Sequence, residues 1–307
     1  MGRKDLVDLL ETAFPEWQGR IGRIDPVSGG MTNCNYCVWI DESPVFVRQS
    51  GETADSLGIR RDDEFVAAGL AGRLGIAPSV RLYNMTHRLL VTDYIFGETL
   101  TKERLRSPER LQDVALLLRR AHESEPDVGT FSVFVTIEDY WQRVQHLDPG
   151  LLDAHRSKRQ WIDAIRQLVP KEPVGLCHND LLAANFVEET NSHRLWLVDW
   201  EYAGLGTPYF DLGNFAANQD LAPEEEEQLA GWYFDTTNTR AHVGLIRILR
   251  VASDFREALW GTVQHLLSTM ALDFDDYAAM HWQRVERAIA DERIQSELNY
   301  LQQSHER

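Results

Sequence analysis

The segment best equipped for chemistry is His178-Asn179-Asp180-Leu181-Leu182-Ala183-Ala184-Asn185, followed after a strand by Asp199-Trp200-Glu201. Two short apolar runs, 174–177 and 195–198, flank it, so a polar, ligand-rich stretch interrupts a half of the chain that otherwise reads as helix. Moving a phosphoryl group onto a hydroxyl requires a carboxylate that accepts the hydroxyl proton and orients the attacking oxygen. It also requires oxygen ligands for the magnesium ions that neutralise the phosphates. Asp180 suits the first task, and Asn185 and Asp199 suit the second.

Asp180 and Asn185 stand in the D-x-x-x-x-N spacing of the kinase catalytic loop, in which a further Asp at the end of the next strand is the second metal ligand. That spacing alone is common, and the same residues can cap a turn and end a strand. Asp199 at its proper distance and a β-rich first third, taken together, favour phosphoryl transfer.

The elements that must position these groups follow from periodicity. After a short opening helix, residues 35–40 and 45–49 alternate around the turn residues 41–44, which predicts a hairpin. Residues 60–74 carry Val66, Leu70 and Leu74 at four-residue spacing and stop at Gly75, with Pro78 beyond, which predicts a helix. Two more strands are expected at 80–83 and 89–95. From Ser107-Pro108 the pattern turns helical, with Leu111, Val114, Leu118 and Ala121 on one face. The expected fold class is α+β: residues 1–95 form a small antiparallel sheet with one helix, and residues 96–307 a larger, mainly helical part.

Within the first part, Ser28-Gly29-Gly30 precedes a strand, where missing side chains let backbone N–H groups approach phosphates, and Thr32 and Asn33 add side-chain donors. The kinase template places a phosphate-binding lysine on the third strand, paired with a helix glutamate. Here Arg48 takes the lysine's place, with Glu64 as its candidate partner; the alternative is a solvent-facing arginine on a surface strand.

Five stretches together resemble the choline/ethanolamine kinase branch of the aminoglycoside-phosphotransferase-like kinases, in particular its bacterial members. They are Ser28 to Asn33, His178 to Asn185, Leu197-Val198-Asp199-Trp200-Glu201-Tyr202, Phe210-Asp211-Leu212-Gly213-Asn214, and Leu259-Trp260-Gly261-Thr262-Val263-Gln264. The resemblance implies a protein-kinase-like two-lobed fold, ATP and Mg2+ as cofactors, and a small amino alcohol, choline or ethanolamine, as acceptor. It implies Asp180 as base, Asn185 and Asp199 as metal ligands, and Glu201 assisting metal or substrate. Asp211 is either a buried brace for the catalytic loop or an ordinary acid in a helix's first turn. Residues 91–97 resemble the hinge whose backbone recognises adenine, which brings in Asp93, Tyr94 and Ile95.

A cationic acceptor is held by aromatic faces, although most large aromatics on helices are core. The resemblance singles out Trp260; where animal relatives tend to carry a second Trp three residues earlier, this chain has Glu257. Glu201, Tyr209 and Trp282 complete the candidate acceptor residues. Thiamine, aminoglycoside and other small-molecule kinases of the same fold are the alternative enzymes, and a kinase-like binding module is the non-enzymatic one.

Composition narrows the partners. With 48 acidic against 31 basic residues and a formal charge of −17, the chain would repel nucleic acid and anionic membrane. Its three cysteines form no disulfide framework, Cys34-Asn35-Tyr36-Cys37 lacks a second pair for zinc, and no apolar run is long enough to span a bilayer. A cytoplasmic protein is expected.

Overall fold

A computed structural model describes residues 3–27, 33–51, 60–171, 174–268 and 272–305. In chain order the first elements are α1 (Arg3–Ala13), β1 (Ile21–Val27), β2 (Asn33–Ile40), β3 (Ser43–Ser50), α2 (Arg61–Arg73), β4 (Val80–Asn84), β5 (Leu89–Asp93) and β6 (Gly97–Thr99). There follow α3 (Lys102–Leu105), α4 (Pro108–His122), α5 (Val133–Leu147), α6 (Arg159–Leu168), β7 (Gly175–Cys177), β8 (Phe186–Glu189), β9 (Leu195–Leu197) and β10 (Gly204–Gly206). The chain closes with α7 (Pro208–Asn218), α8 (Pro223–Phe234), α9 (Arg240–Leu267), α10 (Phe274–Ala290) and α11 (Glu292–His305).

Two compact units result, one spanning residues 1–100, 126–128 and 184–202, the other 101–125, 129–183 and 203–307. In the first, five antiparallel strands run in the order β1-β2-β3-β5-β4. The hairpin pairs Cys37 with Phe46 and Ile40 with Ser43, so the turn is only Asp41-Glu42, and Asp41 takes a positive φ of 54°. Pro44 therefore lies inside β3, opposite Trp39. It is tolerated because the pairing of β3 with β5 begins only one residue later, at Val45, so no β5 partner is registered opposite the N–H that Pro44 lacks. Leu6, Leu10, Phe14, Trp17, Val38, Val47, Leu89 and Val91 form the core under the sheet.

Helix α2 is where expected but faces otherwise. Its buried residues are Glu64, Ala67, Ala68 and Ala71, while the predicted stripe of Val66, Leu70 and Leu74 is only half-buried. The small alanines let the helix approach closely, and the rotation carries Glu64 inward to a buried partner described below. Gly75 ends the helix region with φ of +66°, a conformation costly for any residue with a Cβ. Strands β6, β8 and β9 make a second small sheet of this unit.

The second unit is built around α9, which is 28 residues long and buried almost continuously from Val243 to Gln264. Helices α5, α7, α10 and α11 pack against it. Helix α4 begins as predicted, Ser107 accepting a hydrogen bond from the Arg110 N–H with Pro108 in the first turn, and buries Leu111, Val114, Leu118 and Ala121. Strand β7 runs so close to the end of α4 that a Cβ on Gly175 would lie 2.0 Å from the His122 carbonyl oxygen. Only glycine fits there, and it delivers the chain directly into the loop at His178. No helix among the described residues is long and apolar enough to cross a membrane.

Candidate active site

The backbone of the loop after β7 is held largely by buried side chains from other elements. Asp211, fully buried in the first turn of α7, accepts the N–H groups of His178 and Asn179, each at 2.7 Å. Its Oδ2 also accepts from His122 Nε2 at 3.0 Å, and Tyr233 donates its hydroxyl to His122 Nδ1 at 2.7 Å. Burial pulls the Asp211 carboxyl upward, but His122 and the His178 N–H outweigh it and hold the group below the usual carboxylate range. Asn214, one turn along, accepts the Leu181 N–H at 2.6 Å, and Gln219 donates to the Leu181 carbonyl at 2.9 Å. The Asp180 N–H donates to His178 Nδ1 at 3.3 Å. Asn179 sits at φ 66°, a left-handed conformation that Asn tolerates best among non-glycine residues. Both readings of Asp211 hold in part: it lies in a helix's first turn, and its oxygens serve the neighbouring loop.

Asp180 lies within this framed segment, and a buried arginine stands next to it. Arg256 of α9 donates from Nη1 to the Asn179 carbonyl at 2.6 Å, and its Nη2 is 3.7 Å from Asp180 Oδ1. The other edge of the guanidinium grips Glu257 through Nε at 2.9 Å and through Nη2. Tyr277 of α10 donates its hydroxyl to the second Glu257 oxygen at 2.8 Å. Glu257 is therefore not a bare anion: despite burial, the Arg256 charge, His281 and the two hydrogen bonds keep its carboxyl low. Burial and the Glu257 charge push the Tyr277 phenol far up, so it stays a donor.

The candidate acceptor aromatics separate into three groups. Trp260 is buried and meets the rings of Phe274 and Tyr277 edge-on, with centroids 5.8 and 5.5 Å away, so Trp260 and Glu257 share Tyr277 as a neighbour. Trp282 is stacked on His155 at 3.8 Å, where burial and Lys158 depress the imidazole to about 4. Tyr209 hydrogen-bonds His242 Nδ1 at 2.8 Å and packs on Phe234. The structure thus brings Glu257 and Trp260 together and leaves Tyr209 and Trp282 in separate clusters.

In the other unit, Arg48 is buried on β3 and is salt-bridged to Glu64 of α2 and to Asp199. The surface-arginine alternative does not describe this side chain. Arg61 donates to Glu64 Oε2 at 2.7 Å and to Glu201 Oε2 at 3.4 Å, while Asn33 donates to the same Glu201 oxygen at 3.0 Å. The Arg61 Nε and Nη2 atoms and the Asn33 Oδ1 are buried with no hydrogen-bond partner among the described residues. Asn185 is buried just before β8, its carbonyl accepting the Val198 N–H at 2.9 Å, and Asp199 takes a positive φ of 66° just past β9. Burial first, then the Asp199 charge, push the Glu201 carboxyl above its ordinary range, against the pull of Arg48, Asn33 and Arg61.

This donor set suits a hard divalent cation. Asn185, Asp199 and Glu201 offer only oxygen besides the amide nitrogen, and a cation there would offset both the burial and the Asp199 charge that raise Glu201. Arg61 with its spare donors suits phosphate oxygens. In the same unit Asp93 pairs with Arg81, Tyr94 meets Phe96 edge-on at 5.1 Å, and Ile95 is half-buried. Ser28, Gly29, Gly30 and Thr32 lie outside the described residues.

Sequence reading missed Arg61, Arg256 and Tyr277. A signal existed for two of them. Arg61 stands three positions before Glu64, hence on its helix face, and Arg256-Glu257 sets opposite charges side by side between Phe255 and Ala258-Leu259-Trp260, where buried charges must be paired. Nothing local marks Tyr277.

A family model described as choline/ethanolamine kinase matches residues 24–228. Ethanolamine kinase 2 of Mus musculus is 26% identical over 305 residues, an alignment covering 89% of this chain and 78% of that protein. Protein LicA of Haemophilus influenzae is 26% identical over 261 residues, covering 81% and 75% respectively. Among solved structures, a choline/ethanolamine kinase family protein from Mesorhizobium loti superposes with a TM-score of 0.81 at 26% identity, covering 97% of this chain and 98% of that one. An aminoglycoside 2′-phosphotransferase shares the fold at 14% identity, with a TM-score of 0.67 over 94% of this chain and 98% of that one. On the match over residues 24–228, and on a protein-kinase-like fold, this chain belongs to the choline/ethanolamine kinase family, whose members are small-molecule kinases.

Proposed function

We propose that the protein transfers the γ-phosphoryl group of ATP to the hydroxyl of a small amino alcohol, choline or ethanolamine. The observation that carries the reading is the loop of residues 178–181, whose backbone is fixed by buried side chains at every position while it presents the Asp180 carboxylate. Asp180 then acts as the base that orients the hydroxyl and takes its proton. Asn185 and Asp199, assisted by Glu201, would hold magnesium, which neutralises phosphate charge when bound. Arg48 and Arg61 bind phosphate oxygens, Asn33 contributes with the segment 28–32, and the backbone of Asp93 to Ile95 receives the adenine. Trp260 offers an aromatic face to the acceptor's ammonium. Because Glu257 is already neutralised by Arg256, the cation is bound mainly by this aromatic face, and choline and ethanolamine stand as equal expectations.

The deciding experiment is a coupled assay for ADP release over choline, ethanolamine, thiamine and an aminoglycoside. Higher kcat/KM for thiamine or the aminoglycoside than for either amino alcohol overturns the acceptor class, and no turnover of any acceptor favours a binding module. Trp260→Phe, which keeps the packing, serves as folding control for Trp260→Ala. The alanine variant is expected to raise the acceptor KM by about 3- to 30-fold with the KM for ATP unchanged. An unmoved acceptor KM would place the cation elsewhere.

Arg48→Ala is expected to raise the KM for ATP by about 10- to 100-fold, the worth of a charge-assisted hydrogen bond. Arg48→Lys should restore only part of that, since an ammonium cannot serve Glu64, Asp199 and a phosphate with one planar fork. ATP affinity equal to wild type in both variants would leave Arg48 a clamp between Glu64 and Asp199 and nothing more.

A further inference from the structure

The only carboxylate assigned a proton in this reading has a buried guanidinium beside it that the phosphoryl-transfer scheme does not use. We infer that Arg256 is a positioning residue for Asp180: its hydrogen bond to the Asn179 carbonyl fixes the peptide before the base, and its charge keeps the base ionised. The inference rests on the assignment of Asp180 as the base.

The geometry separates the two handles. Nη1 is bonded to the Asn179 carbonyl at 2.6 Å, which fixes the orientation of the peptide plane that leads into Asp180. Nη2 lies 3.7 Å from Asp180 Oδ1, too long for a hydrogen bond yet well within the range at which opposite charges interact strongly in a buried setting. Arg256 thus favours the carboxylate form without itself occupying the lone pair that must receive the hydroxyl proton. The guanidinium is in turn fixed by Glu257, which grips its other edge, and Glu257 by the Tyr277 hydroxyl at 2.8 Å. This chain of contacts joins α10 to α9 and α9 to the loop. A mobile arginine could not do the same, because a rotated fork would bond Asp180 directly and block it.

Several titratable groups surround Asp180, with His281 of α10, bonded to Asp254, on the far side of Glu257. His178 receives its N–H, and Arg256, Glu257 and Tyr277 supply the electrostatic surroundings from α9 and α10. Tyr140 of α5, buried and pushed up by that burial, lies beside Arg256 and Glu257 as a neutral phenol. Among the described residues named here Arg256 is the permanent cation, and burial notwithstanding it stays protonated through Glu257 and Asp180. Removing its charge takes away the cation 3.7 Å from Asp180 while the Glu257 carboxylate that shares Arg256 stays in place, which raises the pKa of Asp180.

The test uses the full chain with Arg256→Gln, which keeps an amide donor but no charge, and Arg256→Lys, which keeps the charge but not the fork. For Arg256→Gln the acidic limb of the kcat/KM profile is expected to move up by about 1 to 3 pH units. Its kcat at the plateau should fall about tenfold or more, with the KM for ATP unchanged. For Arg256→Lys the limb stays near the wild-type pH while kcat falls. A merely structural arginine would change melting temperature without moving the limb, so an Arg256→Gln limb at the wild-type pH overturns the inference. Should Arg256→Gln lose its fold by circular dichroism, Arg256→Lys and Tyr277→Phe decide. A lowered kcat at unchanged KM for ATP in both supports positioning, and kcat within about twofold of wild type in either overturns it. Asp180→Asn is the control for the underlying reading. If it retains turnover, the base assignment fails and this inference with it; if it is inactive, a negative Arg256 result counts against Arg256 alone.

Discussion

Asp180→Asn is expected to lower kcat by about a hundred- to ten-thousand-fold while leaving the melting temperature and ATP binding close to wild type. The amide has the carboxylate's shape but cannot take a proton from the acceptor hydroxyl. The contacts that frame the loop remain: the Asp180 N–H still donates to His178, Leu181 is still bonded to Asn214 and Gln219, and Arg256 retains Glu257. Nucleotide affinity measured by calorimetry should therefore be nearly that of the parent. Turnover within a few-fold of wild type would remove Asp180 from the mechanism.

Asp211→Ala is expected to act in the opposite way, through the fold first. It strands three buried donors at once, the N–H groups of His178 and Asn179 and the Nε2–H of His122. At about 1 kcal/mol or more for each orphaned group, the cost is about 3 kcal/mol at the least. That corresponds to a melting temperature lower by roughly 6 to 12 °C for a compact unit of this size. The sign of the pH dependence follows from the depressed Asp211 carboxyl. Its contribution is complete above the unfolded-chain value of about 4 and is lost as pH falls through the lower folded value. The gap between wild type and Asp211→Ala should thus persist at neutral pH and close in acid below pH of about 4. A variant melting within a degree or two of wild type would show that the loop is held by other contacts.

How much of this could be read in advance depends on whether a residue's partner lies nearby in the chain. The capped start of α4 and the hairpin are local patterns, and they were legible. The rotation of α2 was not, because its apolar spacing favours Val66 and Leu70 while the buried pair of Arg48 and Glu64 demands another face. An unpaired buried charge costs more than a half-exposed valine, so the ion pair decides. Aromatic residues gave the least information. Trp260, Trp282 and Tyr209 look alike in sequence, yet each belongs to a different ring cluster set by residues that are distant in the chain. Arg256 announced itself only as a charge next to Glu257 and between apolar neighbours; that it bonds the peptide before Asp180 is a long-range fact.

Helix α9 carries a consequence for the way such a chain can change its length. Near its start Arg247 is tied to Glu226 and Glu297, and Arg250 to Glu226. Farther along, Arg256, Glu257 and Trp260 meet the loop and α10. One residue inserted or deleted between Arg250 and Arg256 would turn everything beyond it by about 100° about the helix axis. Arg256 would leave the Asn179 carbonyl, and Trp260 would leave Tyr277. Substitution can therefore retune this stretch, whereas an insertion or deletion within it would break the contacts on one side or the other.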